Sequence, residues 1–286
     1  MKDMHGCLVS FGRLLLLLAL LAGHCAIASP VHADAPLPPI STLADSYNVV
    51  VNPVTNKVYA ANLMSANVTV IDGTTERVLA TLPVGTTPLG MAVNTVTNKV
   101  YVACSGAERV YVISGASDAV LTNIAVGTNP MAVAVNPVTN RIYVANTASD
   151  TVSVINGATD SVVATVSVED GPIALAVNPV TNRIYIANNS SVWLSVIDGA
   201  TNGHSTVSVG TGAVAVAVNP VRNRIYVANA STDTVSVIDG ARDRVVATMP
   251  AGDNPVALAI NPATDRLYVA NTGNDTVTVF IPTRMP

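Results

Sequence analysis

An eleven-residue segment recurs six times along the chain at a nearly constant interval, and this repetition limits the possible folds more than any other feature. The copy from Asn136 to Asn146 reads NPVTNRIYVAN. The six copies begin at positions 52, 94, 136, 178, 219 and 261, so successive copies are almost evenly spaced. A fixed period of about 40–45 residues predicts a repeat architecture in which each repeat is one small supersecondary unit.

Each repeat has room for four short strands and tight turns. The repeat from Pro130 to Gly171 contains four apolar runs with the period of a β-strand, which read PMAVAVN, RIYVAN, TVSVING and SVVATVSVED. Four strands within one such period leave only short connections. The repeat is therefore predicted to be an antiparallel, four-stranded meander.

The turn residues account for half of the recurring segment. Pro137 suits the second position of a type I turn, Asn136 accepts hydrogen bonds from the turn backbone, and Asn140 tolerates the left-handed conformation. Asp265 takes the place of Asn140 in the sixth copy and tolerates the same conformation. A second hairpin joins strands three and four, and its glycine is predicted to supply a positive φ. These glycines are Gly73, Gly157, Gly199 and Gly240.

The apolar residues change in size from one strand of the repeat to the next. The first strand is mostly Ala and Val, the second has apolar residues on both faces, and the fourth is richer in Ser and Thr. Small residues near an axis, larger ones in the middle and polar ones outside are typical of a propeller blade. This pattern predicts an all-β, six-bladed β-propeller of four-stranded antiparallel blades.

The second strand also resembles a known family. Tyr-Val-Ala-Asn occurs at Tyr143, Tyr226 and Tyr268, with close variants in the other copies, and is similar to the signature of the YVTN-repeat β-propellers. The resemblance covers about residues 46–280. It implies an exported bacterial protein or a surface-layer protein, in a family whose members often have seven blades. This chain has six copies, and the last supplies only three strands. The segment 38–44 is therefore predicted to pair with the last blade and close the ring, removing an open edge.

Residues 1–33 form a separate segment. A basic lead, the apolar run Leu14–Ala22 and small-residue sites predict a secretory signal peptide, cleaved after Ala28 or Ala33. A lipoprotein signal ending at Cys25 is the less favoured alternative, because His24 precedes it. Residues 34–286 are predicted to be a single propeller domain, exported to the periplasm, cell surface or extracellular space. Export leaves Cys104 as a lone thiol, which cannot form an internal disulfide.

Several classes of function are disfavoured by composition. Charged residues make up 11% of the chain and the net charge is −4, so the clustered basic residues typical of nucleic-acid binding are not evident. Cleavage after Ala33 leaves His204 as the one histidine, and no nucleophile elbow, phosphate loop or CxxC motif occurs. We expect no catalytic triad, no metal and no cofactor, and a monomer that does not span a membrane.

Three recurring or unusual side chains have structural interpretations that are favoured over functional ones. The basic residues that begin strand two are expected to form ion pairs between blades rather than an anion-binding ring. These residues are Lys57, Lys99, Arg141, Arg183, Arg224 and Arg266. The tyrosine column through Tyr143 is expected to pack between blades rather than bind sugars. Cys104 is interpreted as a small apolar substitute for a turn asparagine, and His204 as a solvated hairpin residue.

The loops that differ between repeats are the favoured ligand site. The connections between strands two and three, and between one repeat and the next, lie at the end opposite the uniform NPVTN turns, and variable loops on a rigid scaffold commonly carry function. The candidates for partner binding are Trp193, Asn188, Asn189, Glu108, Arg109, Glu169 and Asp170. For Trp193 the equal alternative is packing at the start of a strand. We expect an exported binding or interaction scaffold for a protein, glycan or cell-envelope component. The alternatives are a lactonase-like hydrolase using Glu108, Glu169 and Asp170, and a structural surface-layer component.

Overall fold

The computed structural model describes residues 39–42 and 45–281. Within these ranges the backbone is almost entirely β, with one three-residue 3-10 helix at Ser105–Ala107. The predicted signal peptide, residues 1–33, lies outside the described residues.

The strands form six antiparallel sheets in chain order. Sheet 1 contains β1 (Ser46–Asn52), β2 (Lys57–Asn62), β3 (Asn67–Asp72) and β4 (Val78–Pro83). Sheet 2 contains β5 (Pro88–Asn94), β6 (Lys99–Cys104), β7 (Arg109–Ser114) and β8 (Ala119–Ala125). Sheet 3 contains β9 (Pro130–Asn136), β10 (Arg141–Asn146), β11 (Thr151–Asn156) and β12 (Ser161–Ser167). Sheet 4 contains β13 (Pro172–Asn178), β14 (Arg183–Asn188), β15 (Trp193–Asp198) and β16 (His204–Ser208). Sheet 5 contains β17 (Ala213–Asn219), β18 (Arg224–Asn229), β19 (Thr234–Asp239) and β20 (Arg244–Pro250). Sheet 6 contains β21 (Pro255–Asn261), β22 (Arg266–Asn271) and β23 (Thr276–Phe280).

Within every sheet each strand pairs with the next strand of the chain, which confirms the predicted meander. Consecutive sheets then pack face to face, with the first strand of one sheet against the first strand of the next. The core is therefore divided into layers between sheets. Between sheets 2 and 3, for example, Tyr101 and Val112 of one sheet pack with Ile142 and Val144 of the other.

The tyrosine column lies within these layers, as predicted. Tyr59, Tyr101, Tyr143 and Tyr185 are fully buried, and Tyr226 is 2% exposed. Burial removes water from the phenol oxygens and raises their pKa, to about 12 for Tyr59 and Tyr185. These five rings are thus core residues and do not form a surface platform, whereas Tyr268 of sheet 6 is partly exposed.

The first turn of each repeat has the predicted geometry. Asn136 Oδ1 accepts the backbone N–H of Val138 at 3.0 Å, and Asn140 has a φ of 51°. Asp265 has a φ of 55°, so aspartate does replace asparagine at the left-handed position.

The same two asparagine positions also join neighbouring repeats, a role that the sequence did not indicate. The Asn136 side-chain amide donates to Asn182 Oδ1 of the next sheet at 2.8 Å. The equivalent bond recurs at every junction between consecutive sheets. The donor and acceptor pairs are Asn52–Asn98, Asn94–Asn140, Asn136–Asn182, Asn178–Asn223 and Asn219–Asp265. The recurring segment is therefore both a turn and a connector, and we call these five bonds the asparagine ladder.

The prediction for the second hairpin was wrong in one respect. Its glycine does not have a positive φ; the left-handed residue is Asp160 in sheet 3, three positions after Gly157. The glycine is required by space, because a Cβ on Gly157 would lie 2.1 Å from Asn140 Oδ1. Gly157 N–H also donates to the Asn140 carbonyl at 2.9 Å, which holds the two hairpins together.

The outer faces of sheet 1 and sheet 6 are more exposed than the faces that pack between consecutive sheets. Val49 and Val51 of sheet 1 are each 58% exposed, whereas the equivalent residues of sheet 3 pack against sheet 2. At the other end Val277 is 61% exposed, whereas its equivalent Val152 is 0% exposed. The described residues show no packing of β21 against β1 equivalent to that between the other first strands.

The predicted closing strand over 38–44 is not confirmed. Residues 39–42 lie outside any strand, and residues 38, 43 and 44 lie outside the described part of the chain. Sheet 6 has three strands in the described residues.

Candidate functional site

Trp193 begins β15 at the loop end of sheet 4, and its side chain is 41% exposed. Its backbone is fixed on both sides. The Trp193 N–H donates to Ser191 Oγ at 3.2 Å, and its carbonyl accepts the Asn188 amide at 2.8 Å. A large, partly exposed ring on a fixed backbone is a common anchor for recognition.

Asn188 and Asn189 have different environments. Asn188 is fully buried, and its amide also donates to Ser195 Oγ at 3.0 Å, so it supports the loop from within. Equivalent bonds are made by Asn62, Asn146, Asn229 and Asn271 in other sheets. Asn189 is exposed, and its side chain is open to a partner.

Glu169 and Asp170, in the connection between sheets 3 and 4, lie against the same loop. The Glu169 N–H donates to Ser195 Oγ at 3.1 Å, and the Asp170 carbonyl accepts the Ser190 N–H at 3.3 Å. The adjacent Gly171 carbonyl accepts the Asn189 N–H at 2.8 Å. The structure therefore brings Trp193, Asn188, Asn189, Glu169 and Asp170 together, and we call these five residues the Trp193 group.

Glu108 and Arg109 lie in the corresponding loop of sheet 2 and form a separate pair. Glu108 follows the 3-10 helix with a φ of 53°, and its carbonyl accepts the Val126 N–H at 3.2 Å. Arg109 is exposed, and its guanidinium donates to Asn123 Oδ1 at 2.8 Å. No hydrogen bond or ion pair among the described residues joins this pair to the Trp193 group.

Cys104 is the last residue of β6 in sheet 2 and is inaccessible to solvent. Its side chain is fully buried, and burial raises the pKa of the thiol to about 12. The other sheets place Asn at this position and Ser or Thr at its partner on strand three, whereas sheet 2 has Cys104 and Tyr111. An apolar pair thus replaces a hydrogen-bonded one, which explains the substitution without a reactive thiol.

His204 lies at the start of β16 and is exposed. Its Nε2 lies 3.0 Å from Ser195 Oγ, the hydroxyl that also meets Asn188 and Glu169. The histidine is thus hydrogen-bonded to the hydroxyl that supports the Trp193 group, rather than to solvent alone.

Three of the six recurring basic residues form the predicted ion pairs between neighbouring sheets at the opposite, NPVTN end, whereas Arg224 pairs with Asp239 of its own sheet. Lys57 Nζ lies 2.7 Å from Asp118 Oδ2, and Lys99 Nζ lies 2.7 Å from Asp160 Oδ2. Arg183 pairs in the same way with Asp243. The acidic partner in each of these three pairs between sheets is the left-handed residue of the second hairpin in the next sheet.

A groove between sheets 5 and 6 at this end was not indicated by the sequence. Its volume is about 600 Å³, and its lining includes Val218, Val221, Arg222, Ile260 and Asp265. Arg222 pairs with Asp265 at its edge. Only the fifth copy has Arg rather than Thr at the fourth turn position, and this departure is the signal that could have indicated the groove.

The described residues contain neither a cluster of metal-binding side chains nor a membrane-spanning helix. Nowhere in residues 39–42 and 45–281 do three or more His, Cys, Asp or Glu side chains form a group able to hold a metal ion. The same residues contain no helix with the length and apolar character needed to cross a membrane.

Solved structures share this architecture at low sequence identity. A functionally unknown protein from Desulfotomaculum acetoxidans DSM 771 superposes with a TM-score of 0.70 and 13% identity, over 85% of this chain and 84% of that chain. Hydrazine synthase of Kuenenia stuttgartiensis gives a TM-score of 0.57 and 16% identity, over 85% of this chain and 97% of that chain. No family model and no curated protein matches the sequence. At these identities the likeness shows the fold alone, which is a repeat, β-propeller-like fold.

Proposed function

We propose that this chain is an exported binding scaffold that recognises a protein, glycan or cell-envelope component through the Trp193 group. The observation that carries the proposal is a 41% exposed tryptophan on a loop whose backbone is fixed by buried Asn188 and by the neighbouring connection at Glu169. A fixed loop binds with a small loss of conformational entropy, and aromatic rings dominate binding energies at interfaces.

The two acidic residues of the Trp193 group give the surface a chemical preference. Glu169 is partly exposed and Asp170 is exposed, and both belong to the connection that contacts the Trp193 loop. Hydroxyl and amide donors of a glycan or peptide pair well with carboxylates, while the ring packs on an apolar face. These features support recognition of a polar polymer with apolar faces.

Export and family membership are parts of the same proposal. The N-terminal signal pattern supports export to the periplasm, cell surface or extracellular space. The Tyr-Val-Ala-Asn signature and the propeller-like fold support membership of the YVTN-repeat family.

The same proposal includes closure of the six sheets into a ring. The faces of sheets 6 and 1 correspond to the two sides of an internal junction between sheets. Each face has exposed apolar residues, which are Val277 and Val279 in sheet 6 and Val49 and Val51 in sheet 1. Asn261 and Asn56 are the donor and acceptor positions at the two ends of the asparagine ladder. Closure would extend the ladder by a sixth bond between them.

Comparative capture from a cell-envelope fraction tests the binding function. The purified protein, a Trp193→Ala variant and a Val221→Ala variant are immobilised at equal density. Val221 is 91% exposed at the opposite end, so it is a matched control for loss of an exposed apolar side chain. We expect the parent and the Val221 variant to retain the same component, and the Trp193 variant to lose at least tenfold in retention.

Digesting the fraction with protease or with glycan hydrolases before capture identifies the class of the component. Equal retention by all three proteins would contradict a site at Trp193. No retention by the folded parent would contradict the binding function, and hydrolysis of a lactone or ester panel would then favour the lactonase-like alternative.

A further inference from the structure

Three of the junctions between sheets share one arrangement of charge at the NPVTN end. The basic residue that begins strand two pairs with an aspartate in the next sheet, as in Lys99–Asp160 at 2.7 Å. The tyrosine two positions later approaches the same carboxylate. Tyr101 OH donates to Asp160 Oδ1 at 3.0 Å, and Tyr185 OH donates to Asp243 at 3.4 Å. One aspartate therefore accepts from both a cation and a phenol.

The junction between sheets 3 and 4 has the donors without the aspartate. Asn202 stands at the equivalent position, with a φ of 59° that matches the left-handed φ of 49° at Asp160. Arg141 Nη1 and Tyr143 OH, the equivalents of the Lys99 and Tyr101 donors, are buried and have no hydrogen-bond partner. Tyr59 OH also lacks a hydrogen bond, but Asp118 lies beside it and helps to raise its pKa. The unpaired arginine nitrogen thus distinguishes this junction from the other three.

Two other ionisable groups near this junction are already engaged. Asp198 Oδ1 accepts the backbone N–H groups of Ala200 and Thr201 at 2.9 and 3.1 Å, and Arg183 stands opposite Asp198 in the strand register. Burial raises the pKa of Tyr143 and the charge of Asp198 adds to this, but Tyr143 OH has no hydrogen bond to Asp198. His204 Nε2 is hydrogen-bonded with Ser195 Oγ.

The junction between sheets 4 and 5 shows that a second carboxylate is compatible with this environment. Asp239 is there the equivalent of Asp198 and pairs with Arg224 of its own sheet. Asp243 nevertheless pairs with Arg183 at the same junction. An added carboxylate beside Arg141 would reproduce this set of charges.

We propose that the junction of sheets 3 and 4 binds the carboxylate of a small organic acid, which takes the place that an aspartate side chain fills at the other junctions. Arg141 Nη1 and Tyr143 OH donate to its oxygens. Buried donors without acceptors destabilise a fold, so a ligand that satisfies both is bound with a favourable free energy. The site borders solvent, because Arg141 and Asn202 are each only partly buried.

Thermal unfolding at pH 7 in sodium acetate tests the proposal, with sodium chloride at equal ionic strength as the reference and acetamide as the uncharged analogue. We expect acetate to raise the Tm of the protein saturably, by about 2–4 °C, and acetamide to have no such effect. Asn202→Asp supplies the carboxylate from the chain itself. This variant should have a higher Tm in chloride and no response to acetate.

Asp160→Asn is the matched control. It removes the aspartate from the junction between sheets 2 and 3, so that this junction then resembles the Arg141 junction. We expect it to lower the Tm in chloride and to add a second acetate response. A parent protein that does not respond to acetate, while Asp160→Asn does, would overturn the proposal for the Arg141 junction. Stabilisation by Asn202→Asp without any acetate effect on the parent would also overturn it, since a water molecule then satisfies the donors.

Discussion

At the scale of single residues, the second hairpin requires glycine because a neighbouring asparagine leaves no space for a Cβ, and not because the backbone has a positive φ. Gly157 lies against the side chain of Asn140, and Gly199 lies in the same way against Asn182. The left-handed positions are occupied by acidic residues or asparagine, which tolerate that conformation and leave a carboxylate free to pair with the preceding sheet. The hairpins of sheets 2, 3 and 5 thus combine a turn, a contact with their own first turn and an ion pair.

Gly157→Ala is expected to lower stability by about 1–3 kcal/mol, because its Cβ would overlap Asn140 Oδ1 and force the two hairpins apart. Gly203→Ala is the control within the same class of hairpin, since the nearest atom to its Cβ is Thr201 Oγ1 at 3.1 Å. Urea unfolding of both variants measures the difference. Equal losses would show that conformation, and not space, selects glycine at position 157.

Asp239 should contribute a pH-dependent part of the stability. Its pKa is lowered chiefly by the hydrogen bond from the Ala241 N–H, with further contributions from Arg242 and Arg224. A lowered carboxyl pKa gives a stabilisation that is present above the ordinary aspartate pKa of about 3.9 and is lost as the pH falls through the lowered value. We expect the Tm difference between the parent and Asp239→Asn to be largest near neutral pH and to shrink below about pH 4. A constant difference across a series of Tm measurements would contradict this.

Turn chemistry made some of these residues predictable and left others hidden. The left-handed Asn140 and the hydrogen-bonding Asn136 follow from local propensities, which the sequence displays directly. The contact at Gly157 depends on how two hairpins of one sheet pack together, and no local rule describes that distance. The unpaired donor of Arg141 depends on a substitution, Asn202, in the second hairpin of the following repeat.

At the scale of strands and sheets, the asparagine ladder fixes the offset between neighbouring repeats. An amide hydrogen bond between the first turns of two sheets has a defined direction, whereas apolar packing between Val and Ile side chains does not. The ladder and the ion pairs therefore select one alignment of each sheet on the next. The packed layers supply most of the stability.

Removing one connector of the ladder should cost more than removing an asparagine that serves only a turn. Asn136→Ala loses the bond to Asn182 as well as the turn bonds from Val138 and Thr139, and it leaves the partly buried Asn182 Oδ1 without that donor. We expect a loss of about 1–3 kcal/mol. Asn156→Ala loses only a turn bond, from the Ala158 N–H, and should lose less. Chemical denaturation of the two variants compares them, and an equal loss would show that the bond between repeats contributes nothing.

The thiol of Cys104 should be unreactive in the folded protein, since it is fully buried and its pKa is raised to about 12. We expect no reaction with Ellman's reagent at pH 8 until the protein is unfolded, when the thiol reacts at once. Rapid modification of the native protein would contradict the burial of Cys104 in the layer between sheets 1 and 2. A Tyr111→Ser variant is a useful comparison, because it opens the space beside the thiol and should speed the reaction.

The strand content was predictable from the sequence because six copies of one pattern reinforce each other. Apolar alternation, turn residues and the constant period all indicated the same meander. The candidate site was predictable only in part. Position in a variable loop correctly indicated exposure for Trp193 and Asn189, but the buried role of Asn188 follows from Ser195 on the next strand. Pairing between side chains across strands is not visible in a single repeat read alone.

At the scale of the whole molecule, one interface is used at each of the five junctions between consecutive sheets. The last sheet and the first sheet each present half of that interface to solvent, with complementary groups at equivalent positions. Arg266 is the basic member and Glu76 the acidic member of what would be a further ion pair. Exposed apolar faces of this kind commonly mark binding surfaces, and we propose that the partner of each face is the other end of the same chain.

The central claim is that this repeated interface also joins sheet 6 to sheet 1, and crosslinking of the two ends tests it most directly. Asn56→Cys with Asn261→Cys places a thiol at each end of the ladder. Asn52→Cys with Asn98→Cys is the internal control, because the side chains of these two asparagines are hydrogen-bonded at 2.7 Å. A short bifunctional thiol crosslinker is used, because two residues joined through the ends of their amide side chains have Cβ atoms too far apart for an unstrained disulfide. In dilute protein we predict an intramolecular crosslink in both variants, seen as faster migration on a denaturing gel with the mass of one chain plus one crosslinker. Crosslinking of the internal pair alone, or crosslinks of the end pair that form only between molecules, would contradict closure of the ring.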